Sequence, residues 1–243
     1  MASPNTRNGG APMTDTVVIG FGYRMRSGKD TAITEIIAKR GPKTYCNGAE
    51  DGHYDIRSYG FADALKREVT AAALSAGGME NLFRTELFMQ SNGNFIALPQ
   101  WVRDGYEANP DMTDPLCPLG KQRTLLQWWG TEYRRSVDPN YWVNKLADTI
   151  AKEHPQFALI RDLRFQNEFQ YINARGYTVR VDRDGLPQSE HASEHQLDEE
   201  TDWDYTLDNN GTLEDFKAGA LVMFDDIQGV GHCEFPYGYN GVS

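Results

Sequence analysis

A chain of 243 residues fits one α/β domain with insertions, or at most two small lobes, and its 40% hydrophobic share is enough for a sizeable core. The net charge of -11 and the pI near 4.9 argue against a nucleic-acid polymer as the main partner, because a phosphate backbone needs a basic surface; a small phosphorylated ligand needs only a few local Arg and Lys residues. Cys46, Cys117 and Cys233 show no paired or metal-ligand spacing, the first residues are polar, and no apolar run approaches the ~20 residues that span a bilayer, so the expectation is a cytoplasmic protein with neither a disulfide framework nor a membrane partner.

Residues 1–14 read as a disordered arm and 229–243 as a flexible, glycine-rich tail, which leaves 15–228 as the folded domain. Thr16 to Phe21 is a short apolar, β-branched run that predicts a buried parallel strand. From Lys29 the pattern turns helical, with Ile33, Ile36 and Ile37 on one stripe and Arg40-Gly41-Pro42 as the stop. Residues 56–61 predict a second strand, and 62–76 a helix closed by Gly77-Gly78. The stretch 77–120 is rich in Asn, Gly and Pro and reads as an insertion with short elements. Helices resume over 121–134 and 139–153, parted by Val137-Asp138-Pro139. Gln156 to Ile160 predicts a strand, 165–175 a helix and Tyr177 to Val181 a strand. A polar loop or lid follows over 183–203, then a short strand Tyr205 to Leu207 and a closing helix Thr212 to Phe224. Strands alternating with helices predict an α/β fold whose parallel sheet is covered on both faces.

The first predicted strand runs into Gly20-Phe21-Gly22-Tyr23-Arg24-Met25-Arg26-Ser27-Gly28-Lys29-Asp30-Thr31, and a helix follows at once. That context suits a phosphate-binding loop: backbone N–H groups at a helix start face the anion, and the helix dipole adds partial positive charge. Arg26, Ser27, Gly28, Lys29, Asp30 and Thr31 are the candidate ATP-binding residues, with Lys29 lying across the β- and γ-phosphates. Two positions depart from the usual G-x-x-x-x-G-K-[ST] pattern. Tyr23 stands where the first Gly belongs, unless one extra residue lets Gly22 serve, and Asp30 stands where Ser or Thr usually meets magnesium. A carboxylate is itself a good hard-oxygen ligand for Mg²⁺. The plain alternative is a strand–turn–helix with a surface lysine.

Five segments carry a resemblance. They are Arg26-Ser27-Gly28-Lys29-Asp30-Thr31, Gly60-Phe61-Ala62-Asp63-Ala64-Leu65-Lys66, Leu125-Leu126-Gln127-Trp128-Trp129-Gly130-Thr131-Glu132, Asp162-Leu163-Arg164-Phe165-Gln166-Asn167-Glu168 and His191-Ala192-Ser193-Glu194. In this order, over about 16–224, they resemble the bacteriophage deoxynucleoside monophosphate kinases. The resemblance implies a P-loop NTPase-type fold with an inserted acceptor-binding region and a lid. It also implies ATP and Mg²⁺ as cofactors and a deoxynucleoside monophosphate as substrate. It implies an acceptor-site role for Phe61 and Lys66.

The residues themselves allow roles of the same kind. Asp162, expected just past a strand, suits a Walker-B-like carboxylate beside the metal with Asp30 and Thr31, although aspartate is also a common helix cap. Gln127, Thr131 and Arg135, four apart, share one face of a helix, with Trp128 and Glu132 on the next. Guanidinium groups suit phosphate clamps, which nominates Arg134, Arg135 and Arg164; charge at a helix end also simply complements the dipole. Trp128, Trp129 and Tyr133 can stack on a base or pack in the core. Arg180, Arg183, His191 and Glu194 border the lid; a lid arginine reaches the transferring phosphate after closure in related kinases, a role open to Arg183, while polar residues there are also commonly plain surface. His53, His154, His195 and His232 form no ligand set, and the acidic run Asp198 to Asp202 reads as a solvated loop.

The expected reaction is phosphoryl transfer from ATP to a deoxynucleoside monophosphate, and a homodimer stays open. Rival readings are a P-loop kinase for another small molecule, such as a coenzyme precursor, and a module that holds ATP without transferring it.

Overall fold

The structure, a computed structural model, describes residues 16–41, 54–84, 88–89, 95–105, 122–186 and 195–229. The expected arm 1–14, the tail beyond 229, most of 85–121, and His191 and Glu194 of the expected lid lie outside the described residues.

The described residues begin with β1 (Val17–Gly22), a connecting loop and α1 (Lys29–Arg40), then β2 (Ile56–Tyr59) and α2 (Phe61–Ser75). Within the expected insertion come α3 (Met79–Arg84), an antiparallel pair β3 (Phe88–Met89) and β4 (Phe95–Ile96), and α4 (Gln100–Asp104). Next are α5 (Arg123–Gln127), a π-helix (Trp128–Arg135), α6 (Tyr141–Glu153), β5 (Phe157–Leu163), α7 (Gln166–Asn173), β6 (Gly176–Asp182), β7 (Tyr205–Asp208) and α8 (Leu213–Ile227).

Five strands form one all-parallel sheet in the order β2-β5-β1-β6-β7. Such a sheet must be covered on both faces, and its strands show it by alternation. Ile19, Phe21, Phe157 and Leu159 pack with Ile33 and Ile36 of α1 and Phe216, Ala220 and Phe224 of α8. Val18, Ala158 and Ile160 face the other way, into a core with Val69, Trp129, Trp142, Leu146, Phe169 and Ile172. On that second face α7 comes so close to β1 that a Cβ at Gly20 would stand 2.3 Å from Ile172 Cδ1. The architecture is α/β, a parallel sheet flanked by helices, and is consistent with a P-loop-type kinase fold.

β1 lies between β5 and β6, so the chain crosses over it and leaves a crevice at the carboxyl ends of the strands, where open parallel sheets bind ligands. The loop after β1 opens there. On the first face a two-pronged ion pair ties α1 to α8: Arg40 Nε and Nη2 donate to Asp225 at 2.7 and 2.6 Å.

Two local expectations are corrected. The predicted strand 156–160 runs on to Leu163, so Arg161 and Asp162 lie inside β5 and not beyond it. The β1–β5 register slips there, from Gly20↔Ile160 to Gly22↔Leu163. Such a bulge turns side chains out of the regular alternation, and bulges recur beside active sites. Second, the helix expected over 121–134 is a short α5 followed by the π-helix, so the i,i+4 face drawn through Gln127, Thr131 and Arg135 is not an α-helical stripe. Hydrogen bonds from i to i+5 bring a different set of side chains into line.

Candidate active site

The loop between β1 and α1 is held in a conformation that most side chains avoid. Tyr23 has φ 83°, Arg26 φ 65° and Gly28 φ 114°. Positive φ is uncommon for non-glycine residues, costs roughly 1–2 kcal/mol, and gathers at functional sites where the surroundings over-determine it. At Tyr23, in the position of the missing glycine, those surroundings are visible. The Arg180 guanidinium lies 3.9 Å from the ring centroid and that of Arg24 5.1 Å, while β6 places Arg180 opposite Gly22. Arg180 is itself oriented by Asp182, to which its Nε donates at 2.8 Å.

Lys29 is the first residue of α1, and its side chain turns back into the loop. It is 7% exposed, and its ammonium donates to the Arg24 carbonyl at 2.5 Å and lies 3.4 Å from both the Tyr23 carbonyl and Ser27 Oγ. Ser27 is fully buried. Asp30 is exposed and Thr31 half-buried, on the same first turn. The lysine is therefore fixed against the loop and is not the surface lysine of the plain alternative.

One residue that the sequence presents only as part of an Asp-Asn-Asn-Gly turn closes the loop from the far side. Asn209, just past β7, donates Nδ2 to the Ser27 carbonyl at 2.7 Å, and its own N–H donates to the Asp182 carbonyl at 2.8 Å. A Cβ at Gly28 would stand 2.4 Å from that same Nδ2 and 3.1 Å from Phe216 and would displace the Asn209 contact, so glycine is favoured there by space as well as by φ. Asn209→Ala is expected to lower stability in urea unfolding by about 1 kcal/mol and to weaken nucleotide binding by calorimetric titration, because the Ser27 carbonyl loses its anchor.

A second group of charges sits along the bulged end of β5. The Asp162 carboxylate accepts from the N–H groups of Phe61 at 2.7 Å and Ala62 at 2.9 Å, so it caps the start of α2 across the chain. Asp63, in the same turn, accepts from the Gly60 N–H at 2.8 Å and pairs with Arg161. Burial pushes the Asp63 carboxyl up, opposed by Arg161 and, more weakly, by the charge of Lys66. Phe61 itself is 3% exposed and lies in the core, and Lys66 is half-buried.

Glu168, which the sequence shows only as the last residue of a motif, is at the centre of this group. It is 1% exposed and accepts from Arg135 Nη2 at 2.5 Å and from the N–H groups of Arg164 at 2.9 Å and Phe165 at 3.1 Å. Its position three residues into α7 is the capping-box position, which is the one signal that could have marked it. Burial pushes its carboxyl up to about 7, the nearby Asp162 charge adds to that, and Arg135 opposes it. Arg135 also lies 3.9 Å over the Phe165 ring. Arg164 is half-buried beside it.

Arg134 goes elsewhere. Its Nε donates to Glu68 of α2 at 2.6 Å, away from the Glu168 group. Trp128 is 8% exposed and stacks on Tyr133 at 5.4 Å with the rings 10° apart, and Trp129 is 1% exposed. The two indoles are thus core residues in this arrangement, packed on one another and on Tyr133. Gln127 and Thr131 are half-buried, and Arg183 is exposed in the turn after β6. The acidic run is more than a solvated loop: Asp198 binds His195 at 2.8 Å and lies 3.9 Å from Arg24, Glu200 accepts from Gln166 at 2.7 Å, and the neighbouring Leu197 is 3% exposed.

Among the described residues no group of three or more His, Cys, Asp or Glu side chains is placed to hold a metal ion. Mg²⁺ on a nucleotide needs only one or two protein oxygens and keeps several waters. Asp30 and Thr31 fit that donor set, while Asp162 is already engaged by two amides. No helix among the described residues is long and apolar enough to cross a membrane.

No protein-family model matches the chain. Over 118 aligned residues it is 30% identical to a protein of Acanthamoeba polyphaga mimivirus described as "Putative deoxynucleotide monophosphate kinase", an alignment that covers 43% of this chain and 61% of the relative. The chain therefore matches about three-fifths of that relative's length. Among solved structures, the unliganded crystal structure of a sugar kinase from Janibacter sp. HTCC2649 aligns over 90% of this chain and 99% of its own, at 14% identity and a TM-score of 0.38.

Proposed function

We propose that the chain transfers the γ-phosphoryl group of ATP to the phosphate of a deoxynucleoside monophosphate. The observation that carries this reading is the loop after β1, with a buried Lys29 and strained, anchored backbone at the carboxyl end of a parallel sheet. The partial similarity to a viral protein described as a deoxynucleotide monophosphate kinase supports the acceptor class.

Phosphoryl transfer is mostly positioning and charge neutralisation. Lys29 and the loop amides of Arg26 to Thr31 hold the β- and γ-phosphate oxygens. Asp30 and Thr31, with Asp162 as the further carboxylate of the set, are the residues that would hold Mg²⁺, which would supply further neutralisation of the phosphate charge. Arg135 and Arg164 bind the acceptor phosphate, with Arg183 closing on the nucleotide from the turn after β6. Arg134 serves through the helix it anchors. Lys66, Gln127 and Thr131 orient the acceptor, while Phe61 and Trp128 shape the site from the core behind them. An acceptor phosphate oxygen is already anionic, so the transfer needs aim and no general base.

A second reading, transfer to a different small acceptor, draws on the burial of Trp128 and Trp129, which leaves less aromatic surface for a base. One panel separates the two: ADP release from MgATP, measured with the four common deoxynucleoside monophosphates, their ribose counterparts and non-nucleotide coenzyme precursors. Turnover with a deoxynucleoside monophosphate is the expected result. Silence with all four overturns the proposal.

A further inference from the structure

The residues 128–135 contain no proline and nothing in their local chemistry that forbids an α-helix, yet they form a π-helix. π-helices are rare and usually no more than a single-turn bulge. The contacts that accompany it come from α2. In an α-helix a step of five residues turns through about 140° beyond a full circle, so side chains at i and i+5 point apart. In this segment two such pairs stand together. Trp128 stacks on Tyr133, and Trp129 Nε1 and Arg134 Nε donate to the same oxygen, Glu68 Oε1, at 2.8 and 2.6 Å. The other oxygen of Glu68 accepts from the Tyr141 hydroxyl of α6 at 2.8 Å. Arg134 is further held over the rings of Tyr133 at 4.5 Å and Tyr141 at 4.9 Å.

One carboxylate thus gathers donors from a tryptophan, an arginine five residues later and a tyrosine on the next helix. The same face of α2 brings Leu65 against Gly130, where a Cβ would stand 3.0 Å from Leu65 Cδ2. The segment is packed closely against α2, and its register sets where its last residue points. That residue is Arg135, delivered to Phe165 and Glu168 beside Asp162.

We infer that Glu68 sets the π-helical register of 128–135 and is thereby a positioning residue for Arg135 at the acceptor end of the site, a role that rests on the phosphoryl-transfer reading above. Glu68 touches no reacting group; it acts through Trp129, Arg134 and Tyr141.

The test uses the full chain with Glu68→Ala and Glu68→Gln. Near-ultraviolet circular dichroism reads the packing of Trp128, Trp129 and Tyr133, and steady-state kinetics read the acceptor and MgATP constants separately. Glu68→Ala is expected to change the tryptophan bands and to raise the acceptor KM about 10- to 100-fold, with the MgATP KM within about twofold of wild type. Glu68→Gln, which still accepts from Trp129 and Tyr141 but offers Arg134 no charge, is expected to lie between, and it gives the same comparison if the alanine variant does not fold. Unchanged tryptophan bands, or a loss of thermal stability with both KM values unmoved, overturns the inference. So does an equal rise in both. If the wild-type chain turns over no acceptor, the phosphoryl-transfer reading falls and the positioning role with it. Unchanged tryptophan bands would then still overturn the register role on their own.

Discussion

Lys29→Met is expected to lower kcat/KM for phosphoryl transfer by about 10²- to 10³-fold while leaving the fold in place. Methionine keeps most of the length and burial of the side chain and removes the ammonium, with its charge and its hydrogen bonds to the loop. In the structure that charge is already fixed: Lys29 is 7% exposed, and its ammonium donates to the Arg24 carbonyl at 2.5 Å. A charge held in place before the phosphates arrive needs no reorganisation as negative charge grows on the transferring group, which is where such groups have their effect. The stability cost should be small by comparison, about 1 kcal/mol for hydrogen bonds to carbonyls that the nucleotide does not need. ADP release under steady state and urea unfolding, run side by side, separate the two. A methionine variant within tenfold of wild type would remove Lys29 from the transfer step.

The second large effect concerns stability. Glu168→Ala is expected to destabilise the protein by about 3–5 kcal/mol at pH 8, because removing one partner of a buried pair leaves the other charge uncompensated. Arg135, whose side chain is 13% exposed, would keep its charge and lose its carboxylate. The N–H groups of Arg164 and Phe165 at the start of α7 would lose their acceptor as well. Glu168→Gln keeps the shape and part of the hydrogen bonding, so it should cost clearly less.

The same residue dictates a pH dependence. Its carboxyl is pushed up to about 7 in the fold, from an ordinary value of 4.5. Between these values the folded chain holds a proton that the unfolded chain has released. The Glu168 contribution to stability is therefore greatest at or below about pH 4.5, falls as pH rises through the window, and levels off above about pH 7. Urea unfolding across that range should show this fall in the wild type and lose it in Glu168→Gln.

Much of the loop after β1 was legible in the residues themselves. Val17 to Gly22 is an unbroken apolar run because both faces of its strand are covered, and Gly28-Lys29 follows it at the start of a helix. The anomaly at Tyr23 was visible too, as a missing glycine. Its resolution was not, since a left-handed tyrosine is held by Arg180, which arrives from β6 more than a hundred residues later.

The residues around Arg135 and Asp162 were legible only as a set of residue types. Gln127, Thr131 and Arg135 read as a face of an α-helix, because spacing is the only geometry that a sequence displays. Glu68 overrides that spacing from α2 by binding Trp129 and Arg134 together. Asp162 read as a residue beyond its strand; the bulge keeps it within β5, where it caps α2. Glu168 carried a capping signal and nothing about its burial.

By itself, then, the sequence determined the order of strands and helices, the parallel sheet, and the strand–loop–helix unit around Gly28-Lys29, because each rests on local hydrogen bonding and on hydrophobic periodicity. Only the tertiary structure decided which carboxylate holds which arginine, with Arg134 on Glu68, Arg135 on Glu168 and Arg161 on Asp63. Those pairings join elements far apart in the chain. A charge pair of this kind depends on distance and burial, and both come into being only when the helices pack on the sheet.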